Sequence, residues 1–294
     1  MENLLTVIVP AYNEEQSITV FLPEVIAFCE QHNFKLIVVD DGSKDKTLVR
    51  VKELTGGKSY IEIIHHKINK GYGGAIKSGI KGATTQYLIT IDADGQHCTE
   101  DMLKLLAKMK ESDADMVIGS RKGQKIRNYY RFIGKSIIRN FARLVMTVPI
   151  YDINSGMKLY DASLAKKYIS LCPDDMSFSD FISLVFINQK HLVVEVPIQI
   201  RDRITGKSTI SMNTAFNTLL AIMHILLLFN PMKIFLPIAF ISIMFGIGWG
   251  LPFLLMGRGV SNGAIITIIS GLLFFFLGLI ADQLSMFRKE RLKQ

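Results

Sequence analysis

The sequence predicts an α/β domain built on a mostly parallel sheet, followed by a transmembrane α-helical hairpin. Over residues 1–210, short apolar runs rich in β-branched side chains alternate with stretches of helical periodicity. Residues 214–287 carry almost no charge, and the composition changes near residue 211. A chain of 294 residues is long enough to bury a full core in its first part. These observations place a domain boundary near residue 211.

Five apolar runs predict strands, at residues 5–9, 35–39, 61–65, 87–91 and 116–119. Three stretches with helical periodicity lie between them, at residues 17–31, 44–54 and 101–110. Near-continuous apolar strands that alternate with helices are typical of a parallel sheet covered on both faces. Such doubly wound domains bind their ligands beyond the carboxyl ends of the strands.

Polar clusters directly follow four of the predicted strands. They are residues 10–14 (Pro-Ala-Tyr-Asn-Glu), 40–43 (Asp-Asp-Gly-Ser), 69–79 and 92–94 (Asp-Ala-Asp). One such cluster alone is explained by turn chemistry. Four clusters that meet at the same edge of a sheet predict a ligand site there.

Asp92 and Asp94 are the first chemical candidates, because they flank one small residue after a buried strand. Two carboxylates directed at one point suit Mg²⁺ or Mn²⁺, which takes its other oxygen ligands from water and substrate phosphates. A helix-capping turn explains the same pair. Both interpretations stay open on the residues alone.

The glycines of residues 69–75 (Asn-Lys-Gly-Tyr-Gly-Gly-Ala) allow the backbone to approach a phosphate at the start of a helix. The segment does not end in Gly-Lys-Ser/Thr and does not follow the first strand. It is therefore neither a Walker motif nor a dinucleotide fingerprint. A tight strand-to-helix turn explains the glycines equally well.

Charge and cysteine content narrow the class of protein. The formal net charge of +8 suits nucleic acid, an anionic membrane or a phosphorylated substrate. The sequence has no basic run with interleaved aromatic residues, so we expect no nucleic-acid partner. Cys29, Cys98 and Cys172 are widely spaced and form no CxxC pattern, which disfavours a disulfide framework and a zinc site. A reducing, cytosolic setting is expected for the first domain.

Two uncharged stretches near the end of the chain predict membrane spans. Residues 234–256 and 259–281 are each long enough to cross a hydrocarbon core of ~30 Å. Only Gly257 and Arg258 separate them, which predicts a hairpin with a tight turn. A third apolar run, residues 213–229, contains His224 and predicts a helix in the membrane interface, with a short span as the alternative.

Basic residues near the end of the chain predict the orientation of the hairpin. Arg288, Lys289, Arg291 and Lys293 follow the second span, whereas the turn holds Arg258 alone. By the positive-inside rule the tail is cytoplasmic, and two spans place the first domain on the same side. The first residues resemble no secretory signal. The predicted organisation is a domain at 1–210, an interfacial helix at 211–231, and two spans with a tail at 232–294 of a multi-pass inner (plasma) membrane protein.

Seven motifs in a fixed order carry a resemblance to a known family. They are residues 10–14; 40–43; Asn69-x-Gly71-x3-Ala75-x3-Gly79; residues 92–97 (Asp-Ala-Asp-Gly-Gln-His); residues 119–121 (Gly-Ser-Arg); Asp152-x2-Ser155-Gly156-Met157-Lys158; and Glu195-Val196-Pro197-Ile198 through Arg203-x2-Gly206-Lys207-Ser208. Together they resemble family 2 glycosyltransferases of the dolichyl-phosphate mannose synthase and bacterial polyprenyl-phosphate glucosyltransferase type. The resemblance covers residues 5 to about 210, and the hairpin is similar to that of the bacterial membrane-anchored members.

The resemblance implies a GT-A fold, a nucleotide-sugar donor and a Mg²⁺ or Mn²⁺ cofactor. It implies the following sites: Pro10, Tyr12, Glu14, Asp41, Asp92 and Ala93 around the nucleotide; Asp92, Asp94 and Gln96 around the metal and diphosphate; Arg121 and Arg131 at the acceptor phosphate; and Arg203 and Lys207 at the donor diphosphate. Asp94 and these four basic residues form the implied catalytic set. Cys98 departs from the family, which usually has proline there.

The resulting functional hypothesis is an inverting, metal-dependent transfer of a hexose from a UDP- or GDP-sugar to polyprenyl phosphate at the cytoplasmic membrane face. A lipid phosphate has a second pKa of about 6, so it is a nucleophile at neutral pH without a general base. Transfer to a sugar hydroxyl is one alternative, with Asp180 as the base that it would need. A non-catalytic membrane scaffold that binds nucleotide-sugar is another. The sequence leaves the oligomeric state open, a homo-oligomer included.

Overall fold

In the computed structural model, the structure describes residues 4–121, 150–202, 220 and 223–291. The chain divides into two compact units, Met1–Leu219 and Leu220–Gln294. The first unit contains a seven-stranded sheet with helices, and the second contains two long apolar helices.

The strands of the first unit are β1 Leu5–Ala11, β2 Lys35–Asp40, β3 Ile61–His65, β4 Tyr87–Thr90, β5 Met116–Ser120, β6 Lys158–Asp161 and β7 Val193–Pro197. All five predicted strands are present, each within about two residues of its predicted ends. The strands β6 and β7 were not predicted. Their sequences, Lys-Leu-Tyr-Asp and Val-Val-Glu-Val-Pro, offer no continuous apolar run of the kind that marks the other strands.

The sheet has the order β3-β2-β1-β4-β6-β5-β7. Strand β6 is antiparallel to both of its neighbours, and the other paired strands are parallel. The predicted mostly parallel sheet is therefore confirmed, with β6 as the exception. Every residue of the central strand β1 is buried, whereas the edge strand β3 is partly exposed along its length. This difference is expected when helices cover both faces of the sheet centre.

Pro10 lies inside β1, although proline has no N–H for a strand ladder. The Ala11 carbonyl accepts from the Asp41 N–H on the β2 side, so the neighbouring residue 10 faces the β4 side. The pairing of β1 with β4 ends at Ile8 and Thr90. The missing N–H of Pro10 therefore costs the sheet no hydrogen bond, and β1 continues past the predicted end at residue 9.

Within the described residues, the α-helices of the first unit are α1 Glu15–His32, α2 Thr47–Thr55, α3 Tyr72–Gly82, α4 Glu100–Ser112, α5 Ala162–Tyr168 and α6 Phe178–Asn188. Helices α1 and α4 end at Asn33 (φ 55°) and Asp113 (φ 47°), short polar residues that tolerate the left-handed conformation. The glycine-rich segment starts α3, with Gly71 as the residue before its first turn.

The second unit contains α7 Met232–Leu255 and α8 Asn262–Arg291, both long and apolar enough to span a membrane. The predicted hairpin is confirmed, but its connection is longer than the Gly257-Arg258 turn and covers residues 256–261. Gly257 and Gly259 both have positive φ, which separates the two helices. Helix α8 also continues ten residues past the predicted end at residue 281, because the charged segment that follows contains no glycine or proline to stop it.

Glycines bring the backbones of α7 and α8 together. A Cβ on Gly271 would lie 2.6 Å from Ile243 Cγ1, and one on Gly246 would lie 2.7 Å from Ile268 Cγ1. Such close approach is typical of helices that pack in lipid, where small residues allow van der Waals contact. Of the predicted interfacial helix, residues 223–229 are helical, and most of its remainder lies outside the described residues.

Candidate active site

The carboxyl ends of β3, β2, β1 and β4 lie side by side at one edge of the sheet. The segments that follow these strands begin at residues 66, 41, 12 and 91, in that spatial order. The polar clusters of the sequence are thus brought together by the parallel strands that precede them.

The loop after β1 is bonded to the loop after β2. The Asn13 backbone N–H donates to Ser43 Oγ (3.0 Å), and the Glu14 N–H donates to Thr47 Oγ1 (2.9 Å). Tyr12 is 40% exposed at this edge, which leaves its ring accessible to a ligand. The loop that contains the predicted nucleoside residues Tyr12 and Glu14 is therefore fixed by hydrogen bonds to the segment after β2.

Asp41 is buried beneath residues 69–75, the glycine-rich turn before α3. Its Oδ1 accepts hydrogen bonds from the Lys70 N–H (2.9 Å) and from His66 Nδ1 (2.6 Å), and its Oδ2 accepts one from the Gly71 N–H (2.8 Å). Both carboxylate oxygens therefore accept hydrogen bonds from groups of the protein itself. Asp41 is predicted to lie near the nucleoside, and its contacts with the glycine-rich turn are a finding of the structure.

The Asp92 carboxylate is enclosed on three sides. Its Oδ1 accepts a hydrogen bond from the Tyr72 hydroxyl (2.9 Å), and its Oδ2 lies 3.6 Å from His97 Nε2. The Cα of Gly156 packs against the same carboxylate, so closely that a Cβ there would overlap both oxygens. Tyr72 and Gly156, from two other segments, and His97, from the same loop, therefore determine the orientation of this predicted metal ligand.

Asp94 lies in the same loop and is 5% exposed. Its Oδ1 accepts a hydrogen bond from the Gln96 N–H (3.1 Å), across Gly95 with φ 75°. Ala93, between the two aspartates, is buried. This turn holds the Asp94 carboxylate near the end of β4. The helix that follows begins only at Glu100, with Thr99 as its flanking residue, so neither aspartate caps it.

The electrostatics of this loop favour an ionised Asp92. Burial acts to raise the pKa of Asp92, but His97, the Tyr72 hydroxyl and Arg121 together hold that pKa below its ordinary value. The pKa of Tyr72 lies well above its ordinary value, because its surroundings desolvate the phenol and because the charges of Asp92 and Asp94 oppose its ionisation. The Tyr72 hydroxyl therefore stays protonated at neutral pH and donates a hydrogen bond to the Asp92 carboxylate.

The donor set fits a hard divalent cation that takes most of its ligands from elsewhere. Both Asp92 and Asp94 act on the pKa of the Tyr72 hydroxyl, so their charges lie in one neighbourhood. Residues 4–121, 150–202, 220 and 223–291 contain no group of three or more His, Cys, Asp or Glu side chains suited to a metal ion. Two carboxylates without a closed cage match Mg²⁺ or Mn²⁺ bound jointly by protein, water and phosphate.

Arg121 follows β5 at the same edge and is held by Asp152. Its Nε donates to Asp152 Oδ2 (2.6 Å) and its Nη2 donates to Asp152 Oδ1 (2.7 Å). Nη2 also donates to the Asn154 carbonyl (3.0 Å). The Asp152 hydrogen bonds raise the pKa of Arg121, although burial opposes this. One third of the Arg121 side chain stays exposed, so its charge is accessible.

Glu195 of β7 orients Asp152 in turn. Its Oε1 accepts the backbone N–H groups of Tyr151 and Asp152, both at 2.7 Å. A single carboxylate oxygen therefore fixes the segment that presents Asp152 to Arg121.

A buried lysine lies beside this pair. Lys158 Nζ donates to the Ile153 carbonyl (2.7 Å), to Ser179 Oγ (2.6 Å) and to the Ser179 carbonyl. Burial lowers the pKa of Lys158 to about 7, while the nearby Asp180 and Asp152 favour its charge. Asp180, the possible base for a hydroxyl acceptor, is 3% exposed.

The segment before the predicted donor-diphosphate residues is attached to the Asp92–Asp94 loop. Ile200 forms a β-bridge with His97, and the Arg201 N–H donates to the Gln96 carbonyl (2.9 Å). The Arg201 guanidinium pairs with Glu24 of α1 (2.7 Å). Three predicted site residues lie outside the described residues, namely Arg131, Arg203 and Lys207.

Several residues of this site were not predicted from the sequence: His66, Tyr72, Asp152, Gly156, Lys158 and Glu195. The last four belong to motifs that carry the family resemblance, which was the available signal for them. His66 and Tyr72 carried no signal beyond their position at the end of β3 and in the glycine-rich turn.

A cavity of about 460 Å³ lies apart from the predicted site residues. It is lined by Lys77, Lys81, Lys166, Ile169, Ser170 and Asp174. Lys77 is paired with Asp174 (2.6 Å), and Lys166 Nζ donates to the Ala83 carbonyl (2.6 Å). Two of its three lysines therefore already have protein partners.

A mostly parallel sheet with a carboxylate pair, a glycine-rich turn and an arginine at one edge defines a glycosyltransferase of the GT-A fold. The chain matches the model of glycosyl transferase family 2 over residues 6–169, and that of the GtrB C-terminal hairpin over residues 230–287. It belongs to glycosyl transferase family 2, is a glycosyltransferase and associates with membranes through its hairpin. The resemblance, the fold and the enzyme class predicted from the sequence are confirmed.

Characterised relatives share this domain. Polyprenol monophosphomannose synthase of Mycolicibacterium smegmatis is 32% identical over 215 residues, which are 70% of this chain and 80% of that protein. Dodecaprenyl-phosphate galacturonate synthase of Rhizobium johnstonii is 30% identical over 55% of this chain and 49% of its own. Dolichol-phosphate mannosyltransferase of Pyrococcus furiosus is 29% identical over 73% of this chain and 61% of its own.

Solved structures share the fold. Glucosyl-3-phosphoglycerate synthase of Mycobacterium tuberculosis superposes with a TM-score of 0.59 at 15% identity, over 75% of this chain and 80% of that one. The same enzyme has been solved with Mn²⁺ and UDP-glucose. Staphylococcus aureus TarS superposes with a TM-score of 0.53 at 18% identity, over 76% of this chain and 65% of that one. At these identities the similarity is one of fold.

Proposed function

We propose that this enzyme transfers a hexose from a UDP- or GDP-sugar to polyprenyl phosphate, with inversion at the anomeric carbon. The observation that carries the proposal is the pairing of a family 2 domain with a GtrB-type hairpin. The names of two relatives also each join a sugar to a polyprenyl phosphate. Because catalytic domain and hairpin are one chain, anchoring keeps the enzyme at the membrane that holds such a lipid.

In the proposed reaction an oxygen of the lipid phosphate attacks the anomeric carbon of the sugar. The bond from that carbon to the β-phosphate oxygen breaks, and the nucleoside diphosphate leaves. A divalent cation held by Asp92, Asp94 and Gln96 would stabilise the negative charge that develops on the leaving group. Arg203 and Lys207 are predicted to act on the same charge.

Arg121 is the described residue best suited to the acceptor phosphate. Asp152 fixes the plane of its guanidinium, and one third of the side chain is accessible. A charge-assisted contact from a fixed guanidinium orients a phosphate as well as attracting it. The phosphate itself is a nucleophile at neutral pH, so the proposed reaction needs no general base.

The direct test incubates the purified full-length protein with polyprenyl phosphate and radiolabelled UDP- and GDP-hexoses in the presence of Mn²⁺. We expect label in a lipid fraction with one of the donors. A parallel reaction supplies a glycolipid with free sugar hydroxyls in place of polyprenyl phosphate. Label on the glycolipid, with none on polyprenyl phosphate, contradicts the proposal.

The metal role is tested in the same assay. We expect excess EDTA to abolish transfer, and Asp94→Asn to lower kcat by about 10²-fold or more, because charge stabilisation at the leaving group is lost. Asp113→Asn is a matched control, since Asp113 ends α4 in a left-handed conformation that asparagine also adopts. Full activity in EDTA would show that the carboxylates act without a metal.

A further inference from the structure

A buried chain of hydrogen bonds links β2, β3 and α3 through His66. His66 Nδ1 lies 2.6 Å from Asp41 Oδ1, and His66 Nε2 lies 2.8 Å from Ser78 Oγ. The histidine is 5% exposed and the aspartate 2%. Since a carboxylate only accepts hydrogen bonds, Nδ1 carries the proton that joins His66 to Asp41.

This chain holds the glycine-rich turn through the Asp41 carboxylate, which accepts the N–H groups of Lys70 and Gly71. Gly71 has φ 88°, and a Cβ there would lie 2.5 Å from the Asp174 carbonyl oxygen. The turn therefore packs closely against the backbone of residue 174, and no side chain fits at residue 71. The loop after β2 also touches it directly, because a Cβ on Gly42 would lie 2.9 Å from the Asn69 nitrogen.

The order Ser78, His66, Asp41 is that of a hydrolytic triad, but Ser78 is placed as a packing residue. It lies in the second turn of α3, and its hydroxyl is within hydrogen-bond distance of the Gly74 carbonyl (3.1 Å) as well as of His66. A hydroxyl used inside its own helix anchors the imidazole against α3. Ser78 is therefore a structural residue of α3 and not a nucleophile.

We propose that His66 is a positioning residue for nucleotide-sugar binding, which it serves by fixing Asp41 and, through Asp41, the backbone amides of the glycine-rich turn. The inference rests on the proposed function and on two expectations from the sequence, namely that Asp41 lies at the nucleoside and that the glycine-rich turn approaches a phosphate of the donor. A hydrogen bond between charged or ionisable groups in a buried site is short and strongly directional. Without it, the carboxylate keeps the Lys70 and Gly71 N–H groups but loses its third partner, so the anchor of the turn is less firmly oriented.

Two substitutions separate the two ends of the imidazole. In His66→Asn the amide nitrogen can replace Nδ1 and keep the contact with Asp41. In His66→Gln the amide nitrogen can replace Nε2 and keep only the contact with Ser78. We expect Kd for the nucleotide to rise by about 10- to 100-fold in His66→Gln and to stay within about 3-fold of wild type in His66→Asn.

The measurement is calorimetric titration of UDP and of GDP, each with Mn²⁺, into the purified full-length protein. Steady-state KM values for donor and acceptor accompany it, and we expect only the donor KM to follow Kd. His65→Gln is the matched control, because His65 neighbours His66, is 44% exposed and pairs with Asp40 rather than with Asp41. Its Kd should equal that of wild type.

The outcomes distinguish the inference from the function on which it rests. Wild-type protein that binds neither nucleotide overturns both. Wild type that binds, with His66→Gln binding as tightly, overturns the positioning role alone. Equal loss of affinity and equal loss of thermal stability in the Asn and Gln variants show a merely structural role. If His66→Gln does not fold, His66→Asn decides: a folded Asn variant with weakened binding overturns the inference, and one with near wild-type binding supports it.

Discussion

At the scale of single residues, the Arg121 guanidinium is oriented by Asp152, whose backbone is oriented by Glu195. Asp92 is oriented in a comparable way by Tyr72 and Gly156. In both cases a charged group predicted to meet a substrate or metal is held by neighbours from distant parts of the chain. Such support is what allows a site to keep its geometry before the ligand arrives.

Arg121→Ala should weaken use of the lipid phosphate far more than binding of the nucleotide-sugar. The acceptor KM is expected to rise by about 10- to 100-fold, because a charge-assisted contact to one substrate is lost. Asp180→Asn should keep substantial turnover, since loss of a true general base costs about 10²- to 10⁴-fold. Steady-state kcat and KM against both substrates are the measurement. An inactive Asp180→Asn beside an Arg121→Ala with unchanged acceptor KM would favour the sugar-hydroxyl alternative.

Gly156→Ala should damage the Asp92 site while the domain stays folded. The new Cβ would overlap the Asp92 carboxylate, which must then rotate away from Tyr72 and from its predicted metal position. We expect the KM for Mn²⁺ to rise and kcat/KM for the donor to fall by about 10²-fold. Gly248→Ala is the control, because a Cβ at Gly248 meets nothing within 4 Å. Wild-type metal dependence in Gly156→Ala would exclude Asp92 as a ligand.

At the scale of elements, the hairpin shows two uses of glycine. Gly257 and Gly259 have positive φ and separate α7 from α8, whereas Gly246 and Gly271 allow the helices to approach. The outward-facing side chains of both helices are large and apolar, as expected of a lipid-exposed surface. Close packing through small residues is the main stabilising contact available to two helices in lipid.

Gly271→Leu should therefore destabilise the hairpin. A Cβ at residue 271 would already lie 2.6 Å from Ile243 Cγ1 and 2.9 Å from the Ala239 carbonyl oxygen, so a leucine forces α7 and α8 apart. We expect a lower thermal midpoint in detergent, with about 1–3 kcal/mol lost. Gly248→Leu adds the same side chain where there is open space and should leave the midpoint unchanged. Equal midpoints for both variants would contradict this packing.

At the scale of the whole molecule, the chain combines a sheet domain and an apolar hairpin in two compact units. The net charge of +8 and the basic residues at the end of α8 suit a protein that works at an anionic membrane surface. The three cysteines are free and buried, and burial raises the pKa of the Cys29 and Cys172 thiols to about 12. They are poor targets for thiol reagents, which makes introduced cysteines useful reporters.

The proposed topology places both ends of the chain in the cytoplasm and residues 256–261 outside. In intact cells an impermeant maleimide should label Val260→Cys, whose native side chain is 50% exposed, and should not label Glu290→Cys. The reason is the excess of basic residues at the end of α8, which retains that end on the cytoplasmic side. Permeabilised cells should label both. Labelling of Glu290→Cys before permeabilisation would reverse the orientation.

Local patterns in the sequence were sufficient to predict the five apolar strands, the two membrane helices and the family. Strand period and uncharged length are properties of neighbouring residues, and the family motifs are short patterns that occur in a fixed order along the chain. Tertiary structure alone placed β6 antiparallel between β4 and β5, Gly156 against Asp92, and His66 between Asp41 and Ser78. These contacts join residues far apart in the chain, and no local period encodes them, because they form only when the sheet brings separate segments to one edge.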